Sequence, residues 1–277
     1  MKTHARSTLA VCACLALPLL AACGSSGSDA GSGSQADTSG TAGATGGAGG
    51  DQTLTVYAAA SLNKTFTQLG KEFEQQHPGV SVSFSFGGSS DLVAQLTQGA
   101  PGDVFASADQ KNMDKAVTAG IVSGQPKPFA SNTLTIVTAP GNPKKITDLK
   151  NLAQQSTGDV KAVVCAAPVP CGAATDKVEK AAGVTIKAVS EEQAVTDVLG
   201  KVTSGQADAG LVYVTDAKGA GDKVTQVDFP ESSAAVNLYP IAALTSAKNP
   251  TTATQFVDFI AGERGRAVLS EAGFAAP

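Results

Sequence analysis

Leu54-Thr55-Val56-Tyr57-Ala58-Ala59-Ala60-Ser61-Leu62, continued by Phe66, Leu69 and Phe73, decides the architecture of this 277-residue chain. Residues 54–58 are a short apolar run of strand length. Leu62, Phe66, Leu69 and Phe73 then follow at spacings of four, three and four, the stripe of an amphipathic helix. Pro78-Gly79 ends that helix. Val80, Val82, Phe84 and Phe86 alternate with serines, the period of a half-buried strand. Strand, helix and strand in succession are the repeating unit of an α/β protein.

The same alternation runs through the rest of the chain. Gly87-Gly88-Ser89-Ser90 turns into a helix carrying Leu92, Val93 and Leu96, followed by a strand over 103–106 and a helix over 110–119. Further strands are expected at 134–138, 162–164, 184–189 and 209–214. Helices fit 146–154, 173–182, 192–203, 252–260 and 264–271. The pattern favours mainly parallel sheets flanked by helices. Residues 53–277 contain no second low-complexity break, a length that suits one large domain or two small ones. Pro126-Lys127-Pro128 and Phe229-Pro230 are the candidate crossings between two lobes.

The N-terminus has another character. Lys2, His4 and Arg6 precede an apolar run over 9–20 that is too short for a membrane span, and small residues follow, as in a secretory signal. Leu20-Ala21-Ala22-Cys23 resembles a bacterial lipobox, whose cysteine is acylated and becomes the mature N-terminus. The competing reading is an ordinary signal peptide with an incidental cysteine. Residues 1–22 are thus expected to be a leader, and 23–52 a lipidated Cys23 with a linker. That linker is nearly all Gly, Ser, Ala and Thr, so it cannot bury enough surface to offset its ordering entropy. As a random coil it would span roughly 30 Å. The expected location is extracytoplasmic, with the chain anchored by lipid to the outer face of the cell membrane.

Composition excludes several functions. Losing Lys2 and Arg6 with the leader takes two from the 20 basic residues against 24 acidic ones, moving the net charge from −4 to −6. With no tryptophan and no basic run, nucleic acid is disfavoured as a partner. Of five cysteines, Cys12 and Cys14 leave with the leader and Cys23 takes the lipid. Cys165 and Cys171 remain, and in an oxidising compartment they read as a disulfide closing a small loop. A redox dithiol is the weaker alternative, because the spacing is not Cys-x-x-Cys. A resident metal is disfavoured, since His77 is the only histidine after the leader. No nucleophile elbow, P-loop or histidine pair is present, so neither an enzyme nor a cofactor is expected.

Binding has more support. Ala59-Ala60-Ser61, Gly88-Ser89-Ser90 and Pro170-Cys171-Gly172 each stand at an expected strand-to-helix turn. A fourth helix is expected to start at Glu191-Glu192, with Ala194 and Val195 in its first turn. Free N–H groups and the dipole at a helix start suit an anion, and α/β sheets gather such ends at the carboxyl edges of their strands. Taken singly, each serine reads as an ordinary N-cap.

Val56-Tyr57-Ala58-Ala59-Ala60-Ser61-Leu62, Phe86-Gly87-Gly88-Ser89-Ser90 and the run from Gly99 to Asp109 resemble the molybdate-binding proteins of bacterial ABC importers. Pro168-Val169-Pro170-Cys171-Gly172, Gly210-Leu211-Val212-Tyr213 and the spacing of Gly265, Leu269, Gly273 and Phe274 continue the resemblance across 53–277. It implies a two-lobed, type II periplasmic-binding-protein fold, each lobe a mainly parallel sheet flanked by helices, the two joined by hinge strands. Lobe 1 would comprise 53–131 plus 232–277, and lobe 2 would comprise 132–231.

The resemblance also implies a site. Ser61 and Ser89 would offer hydroxyls and backbone N–H groups, Cys171 and Val195 backbone N–H groups, and Tyr213 its phenol. Cys171 departs from the small residue usual in relatives, though only its backbone is needed. Asp91 is a second departure, and facing the cleft it would oppose an anion. Molybdenum would be present only as bound molybdate, held by these same residues. The expected function is capture of molybdate or tungstate and delivery to an ABC permease, by a monomer. Sulfate or phosphate is the alternative ligand, and a surface enzyme or adhesion protein the alternative class.

Overall fold

Two five-stranded sheets carry the fold of the computed structural model, which describes residues 52–277. The leader, Cys23 and the expected linker up to residue 51 lie outside the described residues. The strands are β1 (Gln52–Ala59), β2 (Val80–Gly87), β3 (Val104–Ala106), β4 (Val122–Asn132), β5 (Leu134–Thr138), β6 (Ala162–Cys165), β7 (Ser190–Glu192), β8 (Ala209–Tyr213), β9 (Thr225–Val227) and β10 (Asn237–Leu244). The helices are α1 (Asn63–Gln76), α2 (Ser89–Thr97), α3 (Gln110–Thr118), α4 (Leu149–Gln155), α5 (Pro170–Ala182), α6 (Val195–Thr203), α7 (Val214–Ala220), α8 (Pro250–Ala261) and α9 (Glu263–Ala272). The first sheet has the order β2-β1-β3-β10-β4 and the second β7-β6-β8-β5-β9.

Each sheet has its own core. In the first lobe, Phe66 and Phe73 on one face of α1 meet Phe256 of α8 edge to face, at centroid distances of 6.3 and 5.1 Å. Pairs of that geometry add about 0.5–1.5 kcal/mol beyond their buried area. In the second lobe, Leu149, Leu152, Val178 and Val198 pack on Ile136, Val163 and Leu211. No helix among the described residues is long and apolar enough to cross a membrane.

The sheets are mainly parallel in direction but mixed: in each, four strands run one way and one is reversed. β1, β2 and β3 run parallel, but β10 is antiparallel to both β3 and β4. β6, β7 and β8 run parallel, but β5 is antiparallel to β8 and β9. The reversed strands are those that arrive from the other lobe: β5 on the way out, β10 on the way back.

The outward crossing lies between Asn132 of β4 and Leu134 of β5. Pro126 and Pro128 fall earlier, inside β4, where an edge strand tolerates prolines. Opposite them the ladder shifts register at Pro240. On the way back, a 3-10 turn at Pro230–Ala235 follows Phe229, and Phe229 and Ala235 are buried in the second core. The chain rejoins the first sheet at Asn237.

Residues 184–189 form no strand. The edge strand is instead the polar Ser190–Glu192, paired with β6 so that Cys165 lies beside Glu192. The Glu192 carbonyl accepts the Ala166 N–H at 2.9 Å, and Lys201 pairs with its carboxylate. These bonds hold Glu192 extended, so α6 begins at Val195 instead of at Glu191-Glu192.

Candidate functional site

Ser61, Ser89, Cys171, Val195 and Tyr213 all line one cavity, together with Gly88, Ala108 and Pro170. Three sit at the carboxyl ends of parallel strands. Ser61 follows β1 in a 3-10 turn at Ala60–Leu62, Ser89 follows β2, and Tyr213 ends β8. Cys171 lies six residues past Cys165, the last residue of β6, and a disulfide joins the two with their Cα atoms 5.6 Å apart. The cavity is small, with room for about one water-sized group. The cavity therefore suits one compact group.

Three of the helices without a side-chain cap begin at the cavity; α1 and α9 are uncapped as well. α2, α5 and α6 follow the N-cap residues Gly88, Val169 and Ala194, and none of the three has a side-chain cap. By contrast α3, α4 and α8 are capped by Asp109, Asp148 and Asn249, whose side chains accept N–H bonds from Asn112, Asn151 and Thr252. Val195 is the first residue of α6 and Cys171 the second of α5, positions with no intrahelical carbonyl to bond. Ser89 is the first residue inside α2 and Ser61 the middle of its turn, so neither serine acts as an N-cap.

Behind the cavity each hydroxyl has a partner. The Ala108 N–H donates to Ser89 Oγ at 3.0 Å. Ser61 Oγ and Tyr239 Oη lie 3.1 Å apart. Asn237 Nδ2 donates to Tyr213 Oη at 2.8 Å. Burial pushes the phenols of Tyr213 and Tyr239 well above their ordinary pKa, so both stay neutral. The Tyr213 N–H donates to the Asp216 carboxyl at 3.1 Å. Burial raises that carboxyl to about 7, opposed by this bond and by the charge of Lys64.

No charged side chain lines the cavity. Asp91 is exposed in the first turn of α2 and faces a neighbouring crevice with Gln193 and Asp197. Among the described residues no cluster of three or more His, Cys, Asp or Glu side chains could hold a metal ion. The lobes meet closely beside the cavity: a Cβ on Gly88 would lie 2.1 Å from the Gln193 carbonyl oxygen.

Four supporting residues escape a reading of the sequence: Ala108, Asp216, Asn237 and Tyr239. Asp216 leaves a faint signal, an acid three residues beyond Tyr213 at a helix start. Asn237 and Tyr239 lie in β10, which the apolar pattern does not reveal. A neutral cavity lined by donors from both lobes is chemically suited to a compact anion.

Residues 54–275 match the family described as bacterial extracellular solute-binding protein. The molybdate-binding protein ModA of Mycobacterium tuberculosis is 50% identical over 228 residues, 82% of this chain and 86% of that protein. ModA of Escherichia coli is 31% identical over 228 residues, 80% and 88% of the two chains. The periplasmic molybdate-binding protein of Azotobacter vinelandii has a TM-score of 0.70 at 25% identity, covering 81% of this chain and 99% of that one. The sulfate-binding protein SubI of Mycobacterium tuberculosis has a TM-score of 0.69 at 18% identity, covering 81% and 87%, a likeness of fold alone.

Proposed function

This chain belongs to the bacterial extracellular solute-binding protein family, and on that footing we propose that it captures molybdate, and with it tungstate, for delivery to the permease of an ABC importer. The observation that carries the reading is the convergence of hydroxyls and uncapped helix starts on one uncharged cavity. Hydrogen bonds to an ionised acceptor contribute about 1.5–3 kcal/mol each, and helix N-termini add to that. Five such groups hold a dianion without a lysine or arginine. The net negative charge of the chain is no obstacle, because the donors are local and no acidic side chain lines the cavity.

Ligand choice follows from size and protonation. Sulfate is smaller than molybdate and would leave donors unmet. Phosphate carries a proton at neutral pH that needs an acceptor. Calorimetric titration with molybdate, tungstate, sulfate and phosphate tests this directly: molybdate and tungstate should bind tightly and the other two weakly, and equal affinity for sulfate would overturn the size argument. The proposal extends to the tether, with Cys23 acylated and a single copy of the chain working at the outer face of the cell membrane. The role is that of a carrier, without catalysis and without a cofactor.

A further inference from the structure

We propose that Asn237 is a positioning residue that fixes the direction of the Tyr213 hydroxyl and so makes the cavity reject protonated oxyanions. The inference rests on the reading of this cavity as an oxyanion site. Asn237 is buried at the point where β10 re-enters the first sheet, and its amide nitrogen has two close neighbours and a third, the Pro170 carbonyl oxygen, at 3.5 Å. The Ala108 carbonyl oxygen lies 2.9 Å away and Tyr213 Oη 2.8 Å away.

The chemistry of these neighbours settles which way each proton points. A backbone carbonyl can only accept, so the group facing Ala108 has to be the amide NH₂. One of its two hydrogens goes to Ala108 and the other is directed at the phenol oxygen. Tyr213 therefore accepts from behind, and its single O–H hydrogen is left to donate, with a ligand oxygen competing for it against the neighbouring Tyr239 phenol. Ser89 is fixed in the same way, because the Ala108 N–H can only donate to its oxygen. The one peptide unit at Ala108 is thus read on both sides, its N–H orienting Ser89 and its carbonyl orienting Asn237. Two of the three hydroxyls in the cavity thus have a lone pair occupied from behind and a proton free to donate, so a bare ligand oxygen fits them better than one that carries a proton.

The test compares Asn237→Leu, which keeps the shape and removes the amide, with Asn237→Asp, whose carboxylate would accept the phenol proton and turn lone pairs toward the ligand. Dissociation constants for molybdate and phosphate are measured at neutral pH, in the parent and in a Tyr213→Phe background. In the parent background, Asn237→Leu should weaken molybdate about tenfold, the order of one hydrogen bond to a charged group, and narrow the molybdate-to-phosphate ratio. Asn237→Asp should narrow that ratio further, because the phenol then offers an acceptor to the phosphate proton while the added charge weakens both anions alike. In the Tyr213→Phe background, Asn237→Leu should leave the ratio unchanged within about twofold. An unaltered ratio in Asn237→Leu, or an equal narrowing with and without the Tyr213 hydroxyl, overturns the inference. If Asn237→Asp does not fold, Asn237→Leu in the two backgrounds decides alone. A parent protein that binds sulfate and not molybdate would overturn the proposed function instead, and the ratio of sulfate to phosphate would then decide the role of Asn237.

Discussion

Ser89 shows how much a single hydroxyl does here. Its oxygen accepts from Ala108 and its proton is left for the cavity. Ser89→Ala should weaken molybdate binding at least about tenfold, and it should also cost about 1–3 kcal/mol of stability, because the buried Ala108 N–H loses its acceptor. Tyr213→Phe should weaken binding less, since the ring keeps its packing; calorimetry on both variants checks the order. Asp216 makes a prediction of another kind. The folded protein holds its carboxyl proton up to about pH 7, whereas an unfolded chain releases it near 4. Its contribution to stability is therefore full below pH 4 and is lost as pH rises through 7. Asp216→Asn keeps an acceptor for the Tyr213 N–H and removes that loss, so its Tm should exceed that of the parent at pH 8 and vary less with pH. Parallel Tm curves would refute the assignment. Ser61, Ser89 and Tyr213 were legible because they stand in recognisable motifs at strand ends. Asn237 and Tyr239 were not, because a residue that orients a ligand-facing group from behind carries no local pattern of its own.

Among the elements, α2, α5 and α6 stand apart from α3, α4 and α8 by their bare starts. Side-chain caps are worth about 1 kcal/mol each, so leaving several off at one place is a local cost to stability that an anion would offset. Ala194→Asp tests this at α6. Ala194 is extended and buried at the N-cap, the conformation a capping aspartate uses. The variant should bind molybdate at least about tenfold more weakly, with a carboxylate at the helix start in the anion's place, while the unliganded protein melts no lower than the parent. Unchanged affinity would remove α6 from the site. Most helices were readable from the helical spacing of their apolar residues, and β1, β3, β6 and β8 as short apolar runs, whereas α7 left no such signal. β10 was not readable either: Asn237–Leu244 is almost wholly buried, so no alternation marks it, and Pro240 interrupts it. β4 hid behind Gly124, Pro126 and Pro128. Residues 184–189 look like a strand by their alternating Val184, Ile186 and Ala188, yet it is the polar Ser190–Glu192 that finds a partner in β6.

At the scale of the whole molecule, the lobes are held against each other by a few specific bonds. The Lys64 ammonium donates to the Gly219 carbonyl, Lys218 Nζ to the Glu271 carbonyl at 2.7 Å, and Asn132 Nδ2 to Thr215 Oγ1 at 2.8 Å. Gly88 permits the closest approach, backbone against backbone at Gln193. Gly88→Ala would place a methyl within 2.1 Å of that carbonyl oxygen, so the cleft could not shut to this extent. Small-angle scattering should show the parent contracting on molybdate addition and Gly88→Ala contracting less, with weaker binding; equal contraction would mean that the lobes close by another route. The first strand adds a mechanical asymmetry. β1 runs for eight residues from Gln52 to Ala59, so the chain enters the first lobe roughly 25 Å from the cavity, at the far end of that strand. Whatever grips the protein ahead of Gln52 grips the back of the first lobe. A pull on the chain at Gln52 is therefore felt first by that lobe, and reaches the second through the two crossings and the bonds between the lobes.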